Sequence, residues 1–186
     1  MTRAVAGILV GGAGTRMGGV AKGLMRTAAG GTLIERWRAT LREHGVRVVL
    51  VGDRSEYVGL GIELLADRPA GIGPLGGLIA LLRDAQRTPV LALACDMPFV
   101  SSAIVDRLLT VSPGAPVVAP RRDGRWEPLC ARYDPALVLP AAEALVASKD
   151  HSLQTLLHNV RAVELPLTLD EAGQLHDWDT REDQRS

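Results

Sequence analysis

Apolar and polar positions change period along this chain, and the changes locate its elements. Residues 5–10 form a short apolar run that predicts a buried strand, and it breaks at once into Gly11, Gly12 and Gly14. In residues 33–44, Leu33, Ile34, Trp37 and Leu41 share one helical stripe, with Glu35, Arg36, Arg38, Arg42 and Glu43 outside it. Gly45 stops that helix, and residues 46–51 supply a second strand ended by Gly52 and Asp53. Strand, loop, helix and strand over this distance make a βαβ unit with a right-handed crossover. Residues 54–61 read as a connection or ragged helix with Tyr57 and Val58 packing down, and residues 62–65 as a short strand leading to Asp67.

Gly71, Gly73 and Pro74 form a loop, after which Leu75, Leu78, Ile79 and Leu82 mark the buried face of a helix beginning near Pro74. Proline suits a first helical turn, where its missing N–H has no partner to lose. Residues 89–95 are apolar without alternation, which predicts a central strand covered on both faces and ended by Asp96. Ser101 or Ser102 caps a helix that buries Ile104, Val105, Leu108 and Leu109. Further on come a strand at 115–119, an exposed turn at 121–124, a strand of mixed character at 126–133, helices at 135–147 and 152–158, and an edge strand at 163–165. One helical turn is expected from Thr180. The sum is one α/β domain over residues 1–186, three layers deep, with a Rossmann-like, mostly parallel sheet flanked by helices.

Composition narrows the function classes. With 186 residues, 47% of them hydrophobic, the chain supports one full core and not two. Basic and acidic side chains balance at 21 each, so bulk charge gives no case for a nucleic acid or an anionic membrane. Cys95 and Cys130 lie in apolar segments and read as reduced thiols, and no run is long enough to span a bilayer. The expectation is a cytoplasmic protein, acting as a monomer or weak oligomer.

The chemistry gathers after the strands. A buried strand that opens into glycines followed by Arg16, Gly18, Gly19 and Lys22 suits nucleotide phosphates, because small residues let backbone N–H groups approach and the cations offset charge. Without the cations the same glycines would read as an ordinary tight turn. Neither common phosphate motif is present: no Ser or Thr follows Lys22, and the G-x-G-x-x-G continuation is missing. Asp53 lies near the place where a dinucleotide fold puts its ribose-binding acid, but two cations suit a triphosphate better. Asp96, ending an apolar strand, reads either as a turn former or as a Mg²⁺ ligand between phosphates. Arg121, Arg122, Arg125, Trp126 and Glu127 form either a solvated turn or a basic, partly aromatic lip for a large anionic acceptor. None of the four histidines is placed as a base.

The run GILVGGAGTRMGG…KGLM resembles the signature of the MobA-like nucleotidyltransferases. Asp67 with GPLGGL at 73–78, LACDMPF at 93–99, WEPLCARY at 126–133 and DWDTRED at 177–183 extend the likeness over nearly the whole chain. The resemblance implies a nucleotide-diphospho-sugar-transferase-like fold. It implies transfer of the NMP part of GTP, with CTP the other candidate, to molybdopterin or its molybdenum-bearing form, with release of pyrophosphate. By position, Leu9, Gly11, Gly12, Gly14 and Asp53 would line the nucleotide, and Arg16 and Lys22 would bind its triphosphate. Asp67 would contact the nucleoside beside Gly73 and Pro74, while Asp96 and Asp179 would hold Mg²⁺. Arg16, Lys22 and Asp96 would carry the catalysis by neutralising charge. Molybdoenzyme-assembly proteins are the implied partners. Two positions depart from the family pattern: Ala21 stands where an acid usually precedes the lysine, and DTRED stands for NTPED. Both bear on base choice more than on reaction type. The competing readings are the same reaction on another phosphorylated acceptor, such as a sugar 1-phosphate, and a catalytically weak nucleotide-binding homologue.

Overall fold

A computed structural model of the chain describes residues 4–11, 21–27, 30–176 and 178. Strands β1 (Val5–Leu9), β2 (Arg47–Val51), β3 (Glu63–Leu65), β4 (Val90–Ala94), β5 (Val117–Ala119), β8 (Cys130–Tyr133) and β9 (Val163–Glu164) form one sheet in the order β3-β2-β1-β4-β8-β5-β9. All pairings are parallel except those of β8, which runs against both β4 and β5. Short strands β6 (Arg121–Arg122) and β7 (Arg125–Trp126) make a separate ribbon. The helices are α1 (Leu33–Arg42), α2 (Pro74–Ala85), α3 (Ser102–Thr110), α4 (Pro135–Ala147), α5 (Leu153–Asn159) and α6 (Leu169–Gly173).

Strand side chains point alternately to the two faces, so β1 divides its residues between two cores. Val5 and Leu9 join the cluster made with α2, α4 and α5, while Ala6, Ile8 and Val10 join the cluster made with α1 and α3. The result is the expected three-layer arrangement, with β4 at the centre and wholly buried. Gly7 keeps α2 close to the sheet, since a Cβ there would lie 2.2 Å from Leu81 Cδ2. Helix α1 begins at a reciprocal capping box, in which Thr32 accepts from the amide of Glu35 and Glu35 accepts from the amide of Thr32. Helix α2 starts with Pro74 after Gly73, whose φ of 70° is open to glycine.

Several expectations shift. Tyr57 is buried as expected, but Val58 is 71% exposed, because a 3₁₀ turn over Ser55–Tyr57 turns only the tyrosine inward. The mixed strand expected at 126–133 is two strands, β7 and β8, separated where Cys130 N–H bonds to the Glu127 carbonyl around Pro128, which has no N–H to continue a ladder. Ser101 sits at the start of α3 without capping it by its side chain; its amide donates instead to Gln174 Oε1 at 3.1 Å. Leu109 is half-buried, and α6 has no counterpart in the sequence reading. The turn expected from Thr180 lies outside the described residues.

Helix α2 also approaches the loop before it. A Cβ on Gly76 would lie 2.1 Å from the Pro69 carbonyl oxygen, a backbone atom with no side chain to rotate away. Gly76→Ala should therefore destabilise the protein by about 2 kcal/mol, as overpacking does, measurable as a lower midpoint in urea.

Candidate active site

Four parallel strands end side by side, and each end contributes to one edge of the sheet. Strand β1 leads through Val10 to Gly11, β2 to Gly52 and Asp53, β3 to Asp67, and β4 through Cys95 to Asp96. Val10 N–H bonds to the Val51 carbonyl at 2.9 Å and Cys95 N–H to the Leu9 carbonyl at 3.2 Å, so the pairing continues past the formal strand ends. Ligands of open α/β sheets bind beyond this edge.

Lys22 and Asp96 meet there. Lys22 Nζ lies 2.9 Å from Asp96 Oδ2, with both side chains between a fifth and a quarter exposed. The lysine stands on a 3₁₀ turn, Lys22–Leu24, and Ala21 before it is buried in the apolar cluster against α1. Asp96 is fixed from behind. The Trp37 indole donates to the Ala94 carbonyl at 3.0 Å, Arg36 Nε donates to the Pro98 carbonyl, and Trp178 N–H donates to the Asp96 carbonyl at 2.8 Å. The thiol of Cys95 is pushed up to about 12, chiefly by burial and then by the Asp96 charge, so it stays a neutral thiol.

Across the edge, Asp67 sits in a recess made by glycines. A Cβ on Gly77 would lie 3.0 Å from its Oδ1 and one on Gly11 3.7 Å from its Oδ2. Its amide donates to Asp53 Oδ1 at 3.2 Å. Burial, and then the Asp53 charge, hold its carboxyl above the ordinary value. Gly52 is required between these strands, because a Cβ there would come within 2.8 Å of the Gly11 nitrogen. Gly73 and Pro74 are exposed at the start of α2, and Leu9 closes the floor with its side chain in the core.

The structure thus brings Lys22 to Asp96 and gathers Gly11, Asp53 and Asp67. Gly12, Gly14, Arg16 and Asp179 lie outside the described residues. The basic segment divides. Arg121 stacks on the Trp126 ring at 4.2 Å, and Arg122 is bound to Glu127 at 2.8 Å and to the Leu175 carbonyl at 2.5 Å, so Arg122 joins the ribbon to the chain before Trp178. His44 bonds to Ser102 at 2.9 Å, and His151, His158 and His176 are exposed. Sequence reasoning missed the tethers Trp37 and Trp178 and the recess-forming Gly77. Nothing in a linear pattern marks an indole N–H that reaches a carbonyl across the sheet.

The fold is that of an α/β protein with a polar edge beyond its parallel strands, and its family makes it a nucleotidyltransferase. A family model described as the MobA-like NTP transferase domain matches residues 6–164, and the chain belongs to that family. It is 32% identical over 179 residues to the molybdenum cofactor guanylyltransferase of Xanthomonas euvesicatoria pv. vesicatoria, covering 94% of this chain and 89% of that protein. Among solved structures, molybdopterin-guanine dinucleotide biosynthesis protein A from Archaeoglobus fulgidus superposes with a TM-score of 0.79 at 22% identity, over 97% of this chain and 94% of that one. The 2-C-methyl-D-erythritol 4-phosphate cytidylyltransferase of Thermus thermophilus shares the fold with a TM-score of 0.71 at 17% identity, over 98% and 96% of the two chains. Among the described residues, no helix is long and apolar enough to cross a membrane.

The raised Asp67 carboxyl gives a pH test. The unfolded group titrates near 3.8 and the folded one higher, so the folded state binds more protons between those values. Stability linked to Asp67 is therefore present below the unfolded value and is lost as pH rises through the folded one. Asp67→Asn should raise the melting temperature at about pH 7 and change it little at about pH 3, and an equal gain at both would refute the assignment.

Proposed function

We propose that this chain is a Mg²⁺-dependent guanylyltransferase, one domain over residues 1–186, that joins the GMP part of GTP to molybdopterin or its molybdenum-bearing form and releases pyrophosphate. The observation that carries the reading is the Lys22–Asp96 pair at the end of the central strand, in a chain of this family. The guanylyltransferase names of relatives over most of the chain support the base and the acceptor. Two buried free thiols support a cytoplasmic setting.

The chemistry needs no protein nucleophile. A phosphate oxygen of the acceptor attacks the α-phosphorus of GTP, forming a new phosphoanhydride bond. The bond from the α-phosphorus to the bridging oxygen breaks, and pyrophosphate leaves with that electron pair. Alignment and neutralisation of charge then set the rate. Lys22 moves from Asp96 onto the triphosphate, joined there by Arg16, while Gly11, Gly12 and Gly14 admit the phosphates close to the backbone. Asp67 and Asp53 face the nucleoside side, where the recess beside Gly11 and Gly77 leaves one carboxylate for a base or ribose donor. Gly73 and Pro74 bound that side.

The donor set suits Mg²⁺ held largely by substrate. Among the described residues no group of three acidic, cysteine or histidine side chains gathers, and Mg²⁺ takes one or two carboxylates with phosphates and water. Asp96 would hold it, with Asp179 next to the anchored Trp178 as the second carboxylate. When bound, the ion would withdraw charge from the α-phosphate and the leaving pyrophosphate.

A second reading, transfer from CTP, is favoured by Ala21. Its methyl group packs in the apolar cluster, so the acid usual at this place in the family has no counterpart in this chain.

Pyrophosphate release with Mg²⁺ and molybdopterin, GTP and CTP compared side by side, tests both readings. GTP should be preferred, and no pyrophosphate with either triphosphate would remove the enzyme reading. Asp96→Asn should lower turnover by about a hundredfold, with the melting temperature measured alongside to separate chemistry from folding.

A further inference from the structure

We propose that Tyr57 is the positioning residue for Lys22, an inference that rests on the role given to Lys22 above. The lysine stands on a single 3₁₀ turn, too short to hold itself. The first amides of such a turn have no partner within it, and Tyr57 supplies one from another part of the chain. Gly23 N–H donates to Tyr57 Oη at 3.1 Å, with the tyrosine 1% exposed. Burial raises the phenol to about 12, so the oxygen stays protonated and neutral and accepts without bringing a charge to the site.

The contact is also steric. A Cβ on Gly23 would lie 2.9 Å from Ile34 Cδ1 and 3.1 Å from Tyr57 Cε1, so the turn is clasped between α1 and the tyrosine ring. Past the turn, Leu33 N–H bonds to the Met25 carbonyl at 3.1 Å, which closes the segment onto α1. The turn's backbone is thereby placed so that Nζ meets Asp96 Oδ2 at 2.9 Å.

Tyr57 also belongs to the loop that begins at Asp53, whose carboxylate receives the Asp67 amide. One short loop therefore touches the nucleoside side through Asp53 and the phosphate side through Tyr57. Arg54, between them, is paired with Glu56 at 2.8 Å.

The chain has two lysines, Lys22 and Lys149, and the exposed Lys149 is an internal reference. Trace acetylation followed by peptide mapping reads the reactivity of Lys22 relative to Lys149 without any substrate. Tyr57→Phe should raise that ratio severalfold and weaken binding of Mg²⁺–GTP by about fivefold, the size of one ordinary hydrogen bond. Lys22→Met should weaken binding on its own, and adding Tyr57→Phe to it should weaken binding no further. An unchanged Lys22 ratio, or a full additive loss in the double variant, would overturn the proposal. Should Tyr57→Phe fail to fold, 3-fluorotyrosine incorporated at position 57 weakens the same acceptor oxygen and is read in the same ways. If the wild type binds neither GTP nor CTP, the functional reading fails, while the acetylation ratio still decides whether Tyr57 places Lys22.

Discussion

The parallel pairing of β1 with β4, in register from Val5 opposite Val90 to Leu9 opposite Ala94, is the constraint on which the rest depends. Two strands buried on both faces tolerate no polar side chain until they end. Their ends therefore concentrate what the sheet excludes, and register puts Gly11 and Asp96 at the same height. Strands β2 and β3 extend the edge in the same direction and bring Asp53 and Asp67 level with them. The site follows from this alignment before any loop is considered.

Charge is arranged unevenly along the edge. On one side a lysine and an aspartate pair at 2.9 Å, so the positive and negative side chains offset each other at the end of the central strand. On the other, two acids lie close together, and burial makes the inner one reluctant to ionise. The contrast matches a nucleoside triphosphate, which is anionic at one end and offers hydrogen-bond donors at the other.

Much of the fold was legible because its strands are continuous apolar runs and its helices carry clear stripes. Residues 89–95 announced a central strand, and Pro74 marked the start of α2. Asp67 and Asp96 were legible as polar residues following such runs, and Lys22 as a cation following the glycines. The misses turn on contacts that a run of residues does not show. Val58 and Tyr57 are adjacent, and the tyrosine that turns inward is the one bonded to the distant Gly23 amide. The 126–133 segment looked like one strand because its composition suits one, but Pro128 and the pull of Arg122 on Glu127 divide it. Trp178 had no pattern to announce it, being one residue whose amide finds the Asp96 carbonyl.

That last bond has a meaning for synthesis of the protein. Translation delivers β1 to β4 early, and with them most of the polar edge. Strand β4 then waits for β8 to cover its open flank, and the Asp96 carbonyl waits longer still, for Trp178. A nascent chain on the ribosome thus carries the carboxylates of its polar edge well before the backbone bond that steadies one of them. The order of manufacture sets the polar edge first and its last tether near the end.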